Sequence, residues 1–481
     1  MSVKDKAVAI DRFVRTIKES GVYDDINAAC IMAGWTNLVG ALTPLKGDAP
    51  TNNGFLAADL DAGIGLKGDG SSKYINSNRA NNADGQNDHH MACYAAAPNT
   101  LAAGPLMGSG RNAFTGTDQI TNATSLSSTD LIVFSRLGTA LAYDAVAGGI
   151  NAVGFQGISR SESAGYKARV NGADTNITRA SASPVSDNTF VFDRNPQGAA
   201  ASPTDATMSW YSIGAATDLA ALDSAVSTLM EDLRSIDEQG FDRDALAYVR
   251  RVEEADGGSF LETGVKQAIN AFVVGCKKDG IWDAIKASCI LCGARTIEGA
   301  LVPLAGDAPT AYNFASGDYD RTKLTGDGAT KYLSSNRSGQ DDGRDDAHLA
   351  IYVSAIGSAY GAYAGNGAAN CTTLTVAARH VRNTSNSQTY TQVSNGDVIG
   401  LNGVSRFGDE QTARADQRSV SSTIPSTAHP AGSILLFRRN IGSSPMFTTG
   451  SLSFYSIGSS VDLALLDSRV STLVTAIAAA I

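Results

Sequence analysis

The chain has 481 residues, of which 43% are hydrophobic and only 18% charged, with 49 glycines and 12 prolines. That is the composition of a folded, turn-rich protein and argues against long disorder. Its net charge of −10 opposes phosphate backbones, and no Lys/Arg run interrupts the acidity, so nucleic acid is disfavoured as a partner.

The length suits two large β domains as well as three small ones. The N-terminal stretch MSVKDKAVAIDRFVRTIKES mixes charge with apolar residues and lacks the apolar core of a secretory signal. No apolar run reaches the roughly 18 residues of a membrane span, the Ala476–Ile481 run being far shorter. A chain made in soluble form in the cytoplasm, without membrane insertion, is therefore expected. Six cysteines do not make a disulfide framework in a chain this long.

Self-comparison shows that the chain repeats itself. Asp25–Pro50 aligns with Ala284–Pro309, Gly68–Tyr94 with Gly326–Tyr352, Gly154–Arg160 (GFQGISR) with Gly400–Arg406 (GLNGVSR), and Ser212–Leu229 with Ser456–Leu473. Lys73 to Lys331 is the same step as His90 to His348, so the second match has no gap. The expected layout is a first copy over 1–236, a connector over 237–262 and a second copy over 263–481. Each copy reads as a helix, a β-patterned body and a helix.

In chain order, Val8, Phe13, Val14 and Ile17 give a weak amphipathic opening helix. The GDG at Gly68–Gly70 has no GK[ST] after it and reads as a tight turn. Short runs rich in Val, Ile, Phe and Thr follow, such as Leu131–Arg136 and Thr189–Phe192, separated by Gly/Asn/Ser/Asp clusters. This pattern predicts a sandwich or barrel and not βαβ units. Asp218 caps a closing helix whose Leu219, Leu222, Val226, Leu229, Leu233 and Ile236 form a heptad-like seam. At this length the seam favours packing on the domain's own sheet over a subunit interface.

The connector is charged and partly helical, with Gly257–Gly258 as a hinge. The second copy opens with Val265, Ile269, Phe272, Val273 and Cys276 on one helix face. Its Cys289 and Cys292 form a lone CxxC that reads as buried thiols, since no second ligand pair stands nearby. Gly326–Gly328, Ile434–Phe437, Ser451–Tyr455 and the helix capped by Asp462 repeat the first copy.

No motif shared by both copies carries catalytic chemistry: there is no repeated Glu, no HExxH pair and no GxSxG elbow. No catalytic residue is assigned. The most polar shared segment is the loop Asn78–His90 with its partner Asn336–His348. Asn78, Arg79, Asp84, Asp88 and His90, with Asn336, Arg337, Asp342, Asp346 and His348, form the candidate ligand site. Oxygen acceptors on a loop suit Ca²⁺ or sugar hydroxyls; the same residue types also serve local turns. No cofactor is otherwise implied. Tyr74, Tyr332, Tyr94 and Tyr352 read as half-buried packing residues.

The strings GDGxxKYxxSNR (Gly68–Arg79, Gly326–Arg337), the upstream Ala41–Thr51 and Ala300–Thr310, and the closing Phe454–Leu473 together resemble a module of bacteriophage virion proteins. That module is a concanavalin A-like, or laminin G-like, jelly-roll sandwich. The resemblance implies a mainly β fold, two homologous jelly-roll β-sandwich domains with short flanking helices. It also implies a virion role in a tail fibre, spike or head decoration, with other virion proteins and a host-surface glycan as partners, and a homo-oligomer, a trimer by virion habit. Copy one departs from Phe314–Arg321 (FASGDYDR) at Phe55–Asp61 (FLAADLD), so a ligand contact there belongs to copy two alone. A glycan-degrading enzyme and a purely capsid-stabilising protein are the alternatives.

Overall fold

The computed structural model describes residues 3–110, 115–123, 127, 129–139, 143–198, 201–357, 360–366, 373–377, 380–387, 389–394, 399–428, 431–439 and 445–481. The chain divides into two compact units, residues 1–239 and 240–481.

In the first unit one antiparallel sheet runs, edge to edge, Ala173–Thr178, Gly165–Val170, Gly154–Arg160, His89–Ala97, Thr207–Gly214, Ile26–Ile31 and Pro44–Lys46. The other runs Asp144–Val146, Leu131–Phe134, Asp118–Ala123, Ala103–Ser109, Asn188–Val191, Tyr74–Ala80 and Thr51–Asn53. Alternate side chains of the two sheets meet between them: Met91, Cys93, Ile158 and Tyr211 from one, Ile120, Val133 and Val191 from the other. The result is a mainly β jelly-roll sandwich.

The second unit repeats this order strand for strand. Its first sheet runs Arg418–Thr423, Glu410–Ala415, Gly400–Phe407, Asp346–Ala355, Ser451–Gly458, Ile285–Ile290 and Pro303–Ala305, and its second runs from Thr391–Ser394 to Thr310–Tyr312 in the matching sequence.

Helices cover the outer face of each first sheet, which is why its central strands are apolar on both sides. His89–Ala97 and Thr207–Gly214 are buried at every position. The opening helix Val3–Glu19 lays Phe13 edge-on against Trp210 at 5.3 Å, and Thr263–Lys278 lays Phe272 against Phe454 at 5.7 Å. In copy two the predicted helix face is the buried one. In copy one Val8 is exposed and the inward face is Lys6, Ala9, Phe13 and Ile17; the Lys6 ammonium donates to the Gly34 carbonyl at 2.7 Å. A lysine with a buried stem holds the place that an apolarity count gave to Val8.

The closing helices, Leu219–Asp237 and Leu463–Ala480, are each capped by the predicted aspartate, whose carboxylate accepts from two backbone N–H groups. Each then lies across the strand carrying GxxGxSR. A Cβ on Gly157 would stand 3.1 Å from Leu219 Cδ2, and one on Gly403 2.9 Å from Leu463 Cδ2, so the glycines are the helix seats. Leu222, Val226, Leu229 and Leu233, and Leu466, Val470, Leu473 and Ile477, are buried within their own units. The buried residues of the heptad-like seam thus pack inside the fold.

Leu463–Ala480 is also long and apolar enough, at mean hydropathy 1.5, to cross a membrane by length and composition, with a third of it buried in the fold. Ser, Thr, Asp467 and Arg469 interrupt its apolar run, so no unbroken apolar stretch marks it in the sequence.

The segment expected as a connector forms the helix Arg243–Ala255, with Ala245, Tyr248, Val249 and Val252 in the core of the second unit. Gly257 and Gly258 terminate that helix at φ 70° and 85°, and Asp256 behind them accepts from the backbone of Arg295 and Thr296. Arg243, Asp244, Arg251 and Glu254 lie on its exposed face, while Glu253 is buried and accepts from the Leu261 N–H at 2.9 Å.

Replacing Gly403 with Val forces a branched side chain against Leu463 and is expected to destabilise the second unit by about 1–3 kcal/mol, the usual cost of overpacking. A denaturation curve matching that of the native chain would show that the helix is not seated on this glycine.

Candidate functional site

The ten predicted site residues, five in each unit, form a brace. Asn78 and Asn336 take the left-handed conformation at φ 56°, which asparagine tolerates better than most residues. Asn78 donates to the Ala49 carbonyl at 2.8 Å, and Asn336 to that of Ala308 at 2.8 Å. Arg79 grips Asp84 with two hydrogen bonds of 2.8 and 2.5 Å, and Arg337 grips Asp342 with two of 2.9 and 2.6 Å. Burial would raise the Asp84 carboxyl, but the Arg79 guanidinium outweighs it and holds the group below the usual carboxylate range.

Asp88 accepts from the Ala216 N–H at 2.7 Å and Asp346 from the Ser460 N–H at 2.6 Å, so both fix the turn that leads into the closing helix. His90 and His348 are buried beneath that turn. His348 Nδ1 lies 2.5 Å from the Ser459 carbonyl and Nε2 2.7 Å from Ser456 Oγ; His90 meets the Ala215 carbonyl and Ser212 Oγ likewise at 2.5 and 3.1 Å. A carbonyl only accepts, so the proton is assigned to Nδ1 and the neutral ring accepts from the serine. This Ser–His pair is enclosed, and its Nδ1 faces a carbonyl where a triad has a carboxylate.

The carboxylates expected to serve a cation therefore face inward or cap backbone. Among the described residues no group of three or more His, Cys, Asp or Glu side chains is arranged to hold a metal ion.

Other repeated residues also resolve into supports. Lys73 reaches Asp59 at 2.7 Å and Lys331 reaches Asp318 at 2.5 Å. The GDG aspartates Asp69 and Asp327 each accept from three following backbone N–H groups, and Gly70 and Gly328 supply φ of 67° and 74°. Cys289 and Cys292 are free, buried thiols, pushed by burial to about 12. In the FASGDYDR segment, Arg321 binds Glu262 at 3.1 and 2.7 Å, which ties it to the foot of the opening helix.

Tyr74 stacks on Phe190 at 4.6 Å, and Tyr332 on Tyr312 at 4.3 Å. Arg160 and Arg406, the last residues of GxxGxSR, are fully buried and donate to backbone carbonyls, among them Ser135 at 2.7 Å and Ile424 at 2.7 Å.

What the brace frames is a groove, and it occurs in both units. Its floor is the outer face of three edge strands. Along Gly400–Phe407 that face carries Gly403 as the helix seat, Ser405, which accepts from the Val461 N–H at 3.0 Å, and then Phe407. The neighbouring strand adds Glu410 and Thr412, and Arg414 beyond them bridges to Asp467 of the closing helix at 2.8 Å.

The first unit is built alike: Gly157, then Ser159 accepting from the Thr217 N–H at 3.0 Å, then Ser161, with Lys167 on the next strand and Arg169 bridging to Asp223 at 2.8 Å. The grooves measure about 530 Å³ in the first unit and about 450 Å³ in the second, within the range of clefts that take small ligands. Their residues lie far apart in sequence. The repeated Ser of GxxGxSR was the one legible pointer to them.

Each unit is thus a mainly β jelly-roll sandwich with a polar groove beside its closing helix. No protein-family model matches the chain, and no curated protein matches it. Among solved structures it is similar to mouse laminin α1 chain domains LG4-5 at 9% identity and TM-score 0.22, over 79% of this chain and 84% of that one. It is similar to the Ruminococcus gnavus IT-sialidase CBM40 bound to α2,3 sialyllactose at 12% identity and TM-score 0.23, over 29% and 83%. It is also similar to a mutant of HCR/D at 11% identity and TM-score 0.33, over 92% and 98%. The fold class rests on the chain's own strand order.

Two outcomes follow from the brace. Asp342→Ala leaves Arg337 without its carboxylate and is expected to cost on the order of 1–3 kcal/mol, read as a lower urea midpoint. An unchanged midpoint would put Asp342 back among residues free to meet a ligand. Burial holds His348 at about 4, whereas an unfolded histidine titrates near 6.5. Between those values the unfolded chain binds the extra proton, so stability is whole above about pH 6.5 and falls as the pH drops toward 4, by on the order of 3 kcal/mol. His348→Gln should flatten that slope; an equally steep slope in the variant would place the titration elsewhere.

Proposed function

We propose that this chain is a bacteriophage virion component, in a tail fibre, spike or head decoration, that presents two lectin-like sandwiches to glycans of the host surface. The observation that carries the binding part is the recurrence of the groove. Both copies retain a polar cleft beside the same Ser-bound turn and the same Arg–Asp bridge. A rigid sheet with variable side chains on its outer face is a suitable frame for recognition.

The virion part is supported by the motifs GDGxxKYxxSNR and FYSIG…DLALLD, which resemble phage virion modules. Assembly as a homo-oligomer, a trimer with the closing helices near a shared axis, belongs to the reading.

The test is adsorption of the labelled full-length chain to bacterial surface polysaccharides, with mass spectrometry of purified particles. Filling the grooves with Asn176→Trp and Thr412→Trp is expected to weaken adsorption at least about tenfold, a loss of about 1.4 kcal/mol. Absence of the chain from particles overturns the virion role. Release of reducing sugar from the bound polysaccharide favours a glycan-degrading enzyme over a binder.

A further inference from the structure

The two grooves share a frame but differ in chemistry, and the second is the more specific. We infer that the second unit's groove binds a neutral hexopyranose, with the sugar's C–H face stacked on the ring of Phe407. The inference rests on the lectin-like reading and names the ligand class for one of its two sites.

Phe407 is 76% exposed, and its place is set by strand alternation. Val404 and Arg406 point inward, while Ser405 and Phe407 share the groove face. Its backbone is held on both sides, opposite Asp346 on one strand and Glu410 on the other, and Gly408 turns the chain at φ 60° directly after it. The ring therefore stands on a rigid hairpin and needs little ordering on contact. An aromatic face carries negative charge density and attracts the weakly positive C–H face of a pyranose.

Around the ring the groove presents the Ser460 hydroxyl, the Glu410 carboxylate, the Thr412 hydroxyl at 2.8 Å from Ser421 Oγ, and the Ser419 hydroxyl, which accepts from Arg414 at 3.0 Å; Arg414, at its border, has its charge paired with Asp467. Asp462 also borders it, but its carboxylate already caps the helix by accepting from Ala464 and Leu465. An anionic sugar would meet Glu410 beside a single arginine whose charge Asp467 already balances, whereas a neutral polyol matches hydroxyls and a carboxylate that accepts. In the first unit Ser161 stands where Phe407 does, and Lys167 and Glu162 line the cleft, so that groove lacks the platform and carries both signs of charge.

The experiment is saturation-transfer NMR on the full-length chain with methyl glycosides of glucose, galactose and mannose, with methyl sialoside and with a trilysine peptide as further probes. At least one neutral glycoside is expected to bind. Phe407→Ala should weaken it about tenfold or more with an unchanged melting curve, Phe407→Trp should retain it, and Ser161→Ala should leave it unaffected.

Equal binding by Phe407→Ala overturns the inference, as does a chain that takes only the sialoside or only the peptide. Failure of all three neutral glycosides overturns it too. In each of these cases retained adsorption to bacterial polysaccharide leaves the lectin-like reading standing, and loss of that adsorption brings both down.

Discussion

Where the last strand of each unit ends, the chain must turn and lay a helix back across the sheet it has just left, and one glycine makes that approach close enough. Gly157 and Gly403 have no side chain to hold Leu219 and Leu463 away. With the helix seated, its apolar face is buried and the outer side of the central strands is dry. Several residues repeated in both units then serve that seat. The aspartate caps the first turn, Ser159 or Ser405 binds the backbone just before the cap, and Asp88 or Asp346 binds it one residue further back. Arg169 or Arg414 pins the helix from the neighbouring strand. The groove is the space left between the pinned helix and the sheet edge.

The fold also shows how a weakly charged chain places its few charges. Arg160 and Arg406 are buried without a carboxylate and are satisfied by carbonyls of several segments, so each fastens loops that would otherwise leave acceptors unpaired. In the first unit a further buried group is added: Arg136 donates to Asp118 at 2.6 Å, with His89 3.5 Å from that carboxylate. Ala347 replaces this histidine in the second unit. The apolar replacement shows that the brace formed by His90 and His348 stands without it.

Much of this was legible before any coordinates. The duplication, the two-sheet class, the helix caps, the positive-φ glycines of the GDG turns and the buried CxxC all follow from local chemistry or from self-comparison. Direction was not legible. Asp84 and Asp342 looked like ligands because residue type and loop position suit a cation, yet the arginine five residues away in each copy is their partner. The repeat marked those residues as needed and was silent on whether for binding or for bracing. Val8 failed for a related reason, since an apolarity count cannot see that Lys6 buries its stem. The groove was hidden because its walls come from segments about 50 residues apart, as Arg414 and Asp467 are, and no periodicity links them.

Duplication itself gives a way to separate frame from function. A residue that holds the sandwich together must be kept in both copies, because both must fold; a residue that only meets a ligand is free to change once a second copy exists. The asparagine, arginine, aspartate and histidine of the rim loops are kept, and each has an internal partner. Ser161 against Phe407 and Lys167 against Thr412 are changed, and these lie on the groove face of strands whose inward residues are buried. Difference between the copies, more than agreement, therefore marks where each unit meets something outside itself, and in this chain those differences gather beside the N-terminus of the closing helix.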